Sequence, residues 1–368
     1  MGSHQKLNYI HVFRALAIFI IVAGHCVAGT GPVSRPLLQS IVQDGTVLFV
    51  FISGFLFQYL SDGFAYKPYL KKKFFNIICP YLFTSIPGIA FLLLVPRLDP
   101  FDGVNKVLQI PMFLTTGWFH NLPTWYIPMT CVFFICAQLL VNLRQRNFIG
   151  SKKPLLFCVL PLLLLFSACF PRLPFGVFVL PSFSAWQTYV GTLKMLLFES
   201  ALFFPVYILG MFLAAYRDKI FLLYKYRGWL WVGLLLSTII SFQCLYEHVF
   251  AGRLLISKLF LTLLSLGYLE HYDAKLLGVP KLNHGLGVVA DYSFAIFFIH
   301  NYLIKVYSAV SRHLFHIKLS VETDVWKWAI YEIVELGCIF LSSLLLAMFL
   351  KKLLTWFGIK HTRWFIGV

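Results

Sequence analysis

Ten apolar stretches follow one another along the chain with only short connections between them: Tyr9–Ala28, Thr46–Leu60, Phe74–Val95, Thr124–Val141, Leu155–Phe170, Thr192–Ala215, Trp229–Leu245, Leu254–Leu269, Leu286–Val306 and Trp328–Leu350. Runs of this length match the thickness of a bilayer core as helices, and in hydrocarbon a helix satisfies its own backbone hydrogen bonds. The pattern predicts an all-α fold, a polytopic integral membrane helical bundle of about ten transmembrane helices. A chain that is 60% hydrophobic and only 12% charged is excluded from the ordinary soluble globules, which carry about twice that charge fraction. The second, fifth and eighth stretches are short for a span and borrow flanking residues. VLQIPMFLTT, Val107–Thr116, reads either as a re-entrant piece or as an eleventh span.

The net charge of +17 is no sign of nucleic acid, because the basic residues sit in short loops on alternating sides of the apolar stretches. Nineteen, from Lys6 through Lys67, Arg144, Arg217 and Lys275 to the tail Lys351, Lys352, Lys360 and Arg363, share one side, against seven on the other. That excess puts both termini in the cytoplasm and makes the number of spans even. The four longest outward connections, Gly29–Gly45, Pro96–Leu122, Pro171–Gly191 and Tyr307–Val325, are rich in proline, glycine and aromatics, as structured loops that cap a cavity are. None of the eight cysteines has CxxC spacing, so they read as small buried hydrophobes and not as metal ligands. The first stretch lacks a signal-peptide pattern and is read as retained. Residues 1–368 hold no polar run long enough for a soluble domain and read as a single transmembrane domain.

Within the first stretch stand two groups that hydrocarbon penalises, Arg14 and His25. Eleven helical steps return a side chain to within about 20° of its starting face and raise it about 16 Å. One polar cavity explains two such groups on one stripe better than two unrelated accidents do. Histidine titrates near neutrality and is suited to general base work. Taken singly, the plain alternatives are a histidine bonded to a neighbouring helix and an arginine that snorkels to the interface.

Other residues carry a functional and a plain reading side by side. Ser53 and Gly54 sit among aromatics in FVFISGFLFQYL, either for close helix packing or as a wide spot for a thin ligand arm. Lys71, Lys72 and Lys73 precede Pro80 at the inner end of the third stretch, as topology anchors or as phosphate-binding point charges. Trp125 and Tyr126 open the fourth stretch, as interfacial belt or cavity wall. His300 and Asn301 close DYSFAIFFIHN and can line the same cavity as His25; Asp291, nine residues earlier, falls on the opposite face from His300. Glu332 and Glu335 can face one way, with Lys194, Lys258, Lys305 and Arg14 all open as partners. The sequence holds no Walker loop, HExxH, GxSxG or metal-ligand cluster, which argues against an ATP-driven pump, a zinc protease and a serine hydrolase.

Taken in order, these elements resemble the membrane acyltransferase 3 family, whose members O-acylate cell-surface sugars. Arg14 and His25 match its Arg-x10-His motif, FVFISGFLF its FF-x-x-SGF element, YLKKKFFNIICPY its basic segment ending in Pro-Tyr and PTWYI its Trp-Tyr/Phe element. FFPVYILGMFLA matches a further helix and DYSFAIFFIH the element near the end. The chain departs from the family at Lys73 and Asn76, where arginines are common, and at Val47, where an acid often stands.

The resemblance implies an O-acetyltransferase of the bacterial inner or plasma membrane, using cytoplasmic acetyl-CoA and no metal, with a polysaccharide hydroxyl as acceptor and polysaccharide-synthesis machinery as a partner. It implies His25 as general base or as the carrier of a transient acetyl group, and Arg14 orienting the donor or stabilising developing charge. Lys71, Lys72 and Lys73 would hold donor phosphates, with Ser53 and Gly54 along the donor arm and Trp125, Tyr126, His300 and Asn301 around the acceptor. A carrier or flippase for a sugar or lipid-linked glycan is the reading from a different class.

Overall fold

The computed structural model describes residues 7–26, 34–95, 100–119, 122–145, 153–169, 184–247, 255–313 and 325–368, so parts of the four outward connections lie outside the described residues. Helices α1 (Asn8–Cys26), α2 (Ser34–Val42) and α3 (Thr46–Tyr59) open the chain. A π-helical turn, Phe74–Ile78, joins α4 (Tyr66–Lys73) to α5 (Cys79–Leu94). Next come α6 (Lys106–Thr116), a two-residue ladder of β1 (Trp118–Phe119) with β2 (Leu122–Pro123), α7 (Tyr126–Gln145), α8 (Lys153–Cys169) and α9 (Ala185–Ala215). The remainder is α10 (Phe221–Lys225), α11 (Arg227–Tyr246), α12 (Leu255–His271), α13 (Asp273–Leu277), α14 (Pro280–His313), α15 (Val325–Trp356) and α16 (Arg363–Ile366). Apart from the short ladder the described chain is helical, as the apolar pattern predicts.

Among the described residues seven helical runs are long and apolar enough to cross a membrane: Asn8–Cys26, Pro36–Tyr59, Tyr66–Leu94, Ala185–Ala215, Arg227–Tyr246, Pro280–Ser311 and Ile330–Trp356. Three further apolar helices, α7, α8 and α12, of 20, 17 and 17 residues, stand where the fourth, fifth and eighth stretches were read. The second stretch does borrow from its flank: α3 has only 14 residues, and α2 extends it across a turn in which Asp44 takes φ 59°. Helix α6, with 11 residues, rises about 16 Å and is too short for an eleventh span.

The chain divides into two compact units, Met1–Asp62 with Leu160–Pro171 and Pro205–Phe349, and Gly63–Val159 with Arg172–Phe204 and Leu350–Val368. In the first, α1 packs chiefly along α14 and also meets α12, α3 and α2. Phe13, Ala17, Ile18 and Val22 are wholly buried, as befits a helix that is apolar nearly all round. Lys258 of α12 is buried as well, and its ammonium donates to the Ser40 and Ile41 carbonyls at 3.2 and 2.8 Å. These carbonyls belong to the last turn of α2, where helical acceptors lack partners and the dipole favours a cation. Lys258 therefore serves a helix end.

In the second unit α5 packs on the π turn, α6, β1 and α16. Pro80 explains the π turn: it offers no N–H to Asn76 and its ring crowds that carbonyl, so the turn just before it widens. Gly117 ends α6 at φ 66°, and the Thr124 hydroxyl donates to its carbonyl at 2.6 Å.

Candidate active site

The stripe shared by Arg14 and His25 faces α14. From the base upward, the Asn8 amide donates to Asp273 at 2.9 Å and to Asn283 at 3.1 Å. His11 Nε2 lies 3.6 Å from Asp291 Oδ1. The Arg14 guanidinium donates to Ser293 Oγ at 3.1 Å, and that hydroxyl donates to the Ala290 carbonyl at 2.8 Å. The His25 and His300 ring centroids are 5.4 Å apart. Residue numbers rise together on both helices, so α1 and α14 run in the same direction, with polar groups at both ends of their seam and apolar residues between. Between Asn8 and His25 the remaining residues of α1 are apolar, so the groups on this line are the ones that hydrocarbon penalises on that helix.

At the His25 end the two histidines differ sharply in exposure. His300 is fully buried. Its Nδ1 lies 3.0 Å from the Ile296 carbonyl, which can only accept, so Nδ1 carries the proton. Nε2 then accepts from the Asn301 amide at 2.7 Å. Both nitrogens are committed, and the ring is fixed and neutral. His25, by contrast, is exposed on the last turn of α1. Glu332 and Glu335, both buried on α15, lie near enough to Cys26 to act on its thiol electrostatically, which brings the acidic pair to the same end of α1.

Eleven residues of helix put about 16 Å of rise between Arg14 and His25. The two groups act at different depths of one seam. The remaining candidates stand on other helices or, for Trp125, just before one. Ser53 is half-buried on α3. The space beside Gly54 is taken by the backbone of α9, where a Cβ would run into the Tyr207 carbonyl. In the second unit Trp125 pairs with Phe203 at 6.1 Å, and Tyr126 is buried. Lys71 and Lys72 are exposed, and the Lys73 ammonium stands over the Tyr69 and Phe134 rings at 5.3 and 4.8 Å.

Gly117 is what sets Trp125. A Cβ there would press on the Trp125 and Thr124 backbone, and the positive φ adds about 1–2 kcal/mol for any L side chain. Gly117→Ala is expected to lower the thermal unfolding temperature and to shift tryptophan emission, read on detergent-purified protein. An unchanged melt and spectrum would mean that this turn does not position Trp125.

Sequence reasoning missed His11 and Ser293. His11 had a usable signal, since it stands three residues before Arg14 and so shares its face. Ser293 had none, because a serine in an apolar run gives no clue to which helix it meets.

A family model described as an acyltransferase domain, acyltransferase 3, matches residues 7–354. Comparison with curated proteins and with solved structures gives no significant match.

Proposed function

This chain belongs to the membrane acyltransferase 3 family, and from that premise we propose that it is an O-acetyltransferase moving acetyl from cytoplasmic acetyl-CoA to a hydroxyl of a cell-surface polysaccharide or its precursor. The observation that carries the reading is the exposed His25 beside a locked His300, at one end of a polar seam that begins with Asn8 and includes Arg14. His25 takes the proton of the acceptor hydroxyl as that oxygen attacks the thioester carbonyl. The C–S bond breaks, and the imidazolium returns its proton to the thiolate, leaving an acetyl ester and the free thiol of CoA. His300 has no lone pair to spare and holds the His25 ring in place. Arg14 lies too far down the seam to share the reacting carbonyl with His25, so its role is to orient the donor. Lys71, Lys72 and Lys73 hold the donor phosphates as point charges.

Ten crossings with both termini in the cytoplasm complete the proposal, and chain parity supports them. Same-direction packing of α1 and α14 calls for an odd number of crossings between them, so an odd number of α7, α8 and α12 joins the four long runs there. The Arg217 guanidinium meets the Tyr59 ring at 5.3 Å, which calls for an even number from α5 through α9 and hence both or neither of α7 and α8. Together these favour a crossing by α12. The lengths of α7 and α8, and the basic Arg144, Arg146, Lys152 and Lys153 around the junction from the one to the other, favour crossings by both.

The test is transfer of radiolabelled acetyl from acetyl-CoA to surface polysaccharide in membranes with and without the protein. Protein-dependent ester label is expected. Its absence with acceptor present would overturn the reading and favour a carrier. Replacing Lys71, Lys72 and Lys73 together with glutamine is expected to raise the apparent acetyl-CoA constant about tenfold or more, the exposed contacts being screened by water and contributing up to about 1 kcal/mol each, with the rate at saturating donor retained. An unchanged constant would leave the three lysines as topology anchors.

A further inference from the structure

The chain does not end with α15. Gly358, at φ 79°, turns it back, with the Ile359 N–H donating to the Leu354 carbonyl at 3.0 Å and the Gly358 N–H to Thr355 at 3.0 Å. This pair of bonds is the Schellman stop, which needs a left-handed residue at that position. The ten residues that follow lie beyond the family match, and they fold onto the second unit. Trp364 packs on Phe75 of the π turn at 4.5 Å and on His361 at 4.4 Å, and Phe365 packs on Phe83 at 4.6 Å. Ile366 is buried, and the Thr362 hydroxyl donates to the Val368 carbonyl at 2.7 Å.

This docking sets Arg363 beside the basic segment: Lys72 and Arg363 are the charges that act on the Lys73 ammonium. Three cations thus converge where Lys73 is half-buried against two aromatic faces. Among the described residues none of the three has a carboxylate within ion-pair distance. Like charges gathered without a counter-charge repel, and a bound anion removes that cost. The widened turn that receives Trp364 is of a kind frequent at functional sites.

We propose that the C-terminal segment Lys360–Ile366 completes the phosphate-binding mouth of the second unit, with Arg363 joining Lys72 and Lys73 as a third ligand of a phosphate group. This rests on the reading of the chain as an acyl-CoA enzyme, whose donor carries a diphosphate and a phosphate monoester. Arginine supplies what the two lysines lack, a planar fork that takes phosphate oxygens in pairs. The same chemistry would accept an anionic lipid headgroup, so the test separates the two sources.

Protein spanning residues 1–368 in nanodiscs of zwitterionic phosphatidylcholine, which has no net charge, is titrated with CoA, and detergent-purified protein with phosphatidic acid read by native mass spectrometry. Arg363→Gln is expected to weaken CoA binding about tenfold, Arg363→Lys less, and Trp364→Ala as much as Arg363→Gln because it undocks the segment; melting temperatures show that each variant is folded. Undiminished CoA binding by Arg363→Gln, where Lys72→Gln with Lys73→Gln weakens it, overturns the role of the tail and leaves the acyl-CoA reading standing. If the wild type binds no CoA, the acyl-CoA reading fails. Loss of phosphatidic acid by Arg363→Gln would then uphold the three-cation phosphate site with lipid as its source, and no loss would overturn it.

Discussion

His25→Ala, compared with wild type at equal amounts of inserted protein, is expected to lower acetyl transfer by about two to four orders of magnitude, the range a positioned general base supplies. Because His25 is exposed, its truncation opens no cavity, and the unfolding temperature should stay at the wild-type value. That combination separates chemistry from folding. Asn301→Ala should give a smaller loss: it frees His300 Nε2 and loosens the ring against which His25 rests, while the base itself remains. The two roles open to His25 also part here. A base leaves no mark on the enzyme, whereas an acetyl-histidine relay accumulates label on the protein when acceptor is withheld. Label on wild type that is absent from His25→Ala would establish the relay. Transfer at the wild-type rate by His25→Ala would remove His25 from the mechanism altogether.

Periodicity and hydropathy made the helices legible, because a bilayer leaves a span little choice of backbone. They could also align Arg14 with His25, since that spacing is a property of one helix. They could not say what the stripe faces. Ser293 and His300 stand some 280 residues further along the chain, and nothing in an apolar run names its neighbour. Lys258 shows the same gap: the sequence left it open as a partner for Glu332 or Glu335, whereas its ammonium reaches the end of α2. The limit is physical. One helix carries several faces, and which face meets which neighbour is decided by tertiary packing, of which glycines are the local trace. The tail, too, read only as part of the positive side, since a stack of Trp364 on Phe75 leaves no pattern in sequence.

Gly54→Ala should lower the unfolding temperature strongly, and Gly54→Val should leave little folded protein. At this position a Cβ meets the Tyr207 carbonyl, and on the facing helix a Cβ at Gly210 meets the Phe51 carbonyl and, at 2.8 Å, the Phe55 nitrogen. The two glycines interlock, so α3 and α9 touch backbone to backbone, the close approach that small residues permit between membrane helices. A side chain that clashes with a flexible neighbour can be accommodated by rotation, but a carbonyl moves only if its helix moves. Overpacking of this kind costs about 1–3 kcal/mol where relaxation is possible, and more is expected here. Gly228→Ala is the control: a Cβ there meets nothing within 4 Å, and removing a glycine from a helix favours the fold by up to about 1 kcal/mol. Fluorescence-detected size exclusion after a heat step reads all three variants. The same experiment separates the two roles read for Gly54. If it serves packing, whatever Gly54→Ala protein remains folded should keep the wild-type acetyl-CoA constant, because the donor never occupied that space. If the donor arm passes there, the added methyl should raise that constant while the melt stays unchanged.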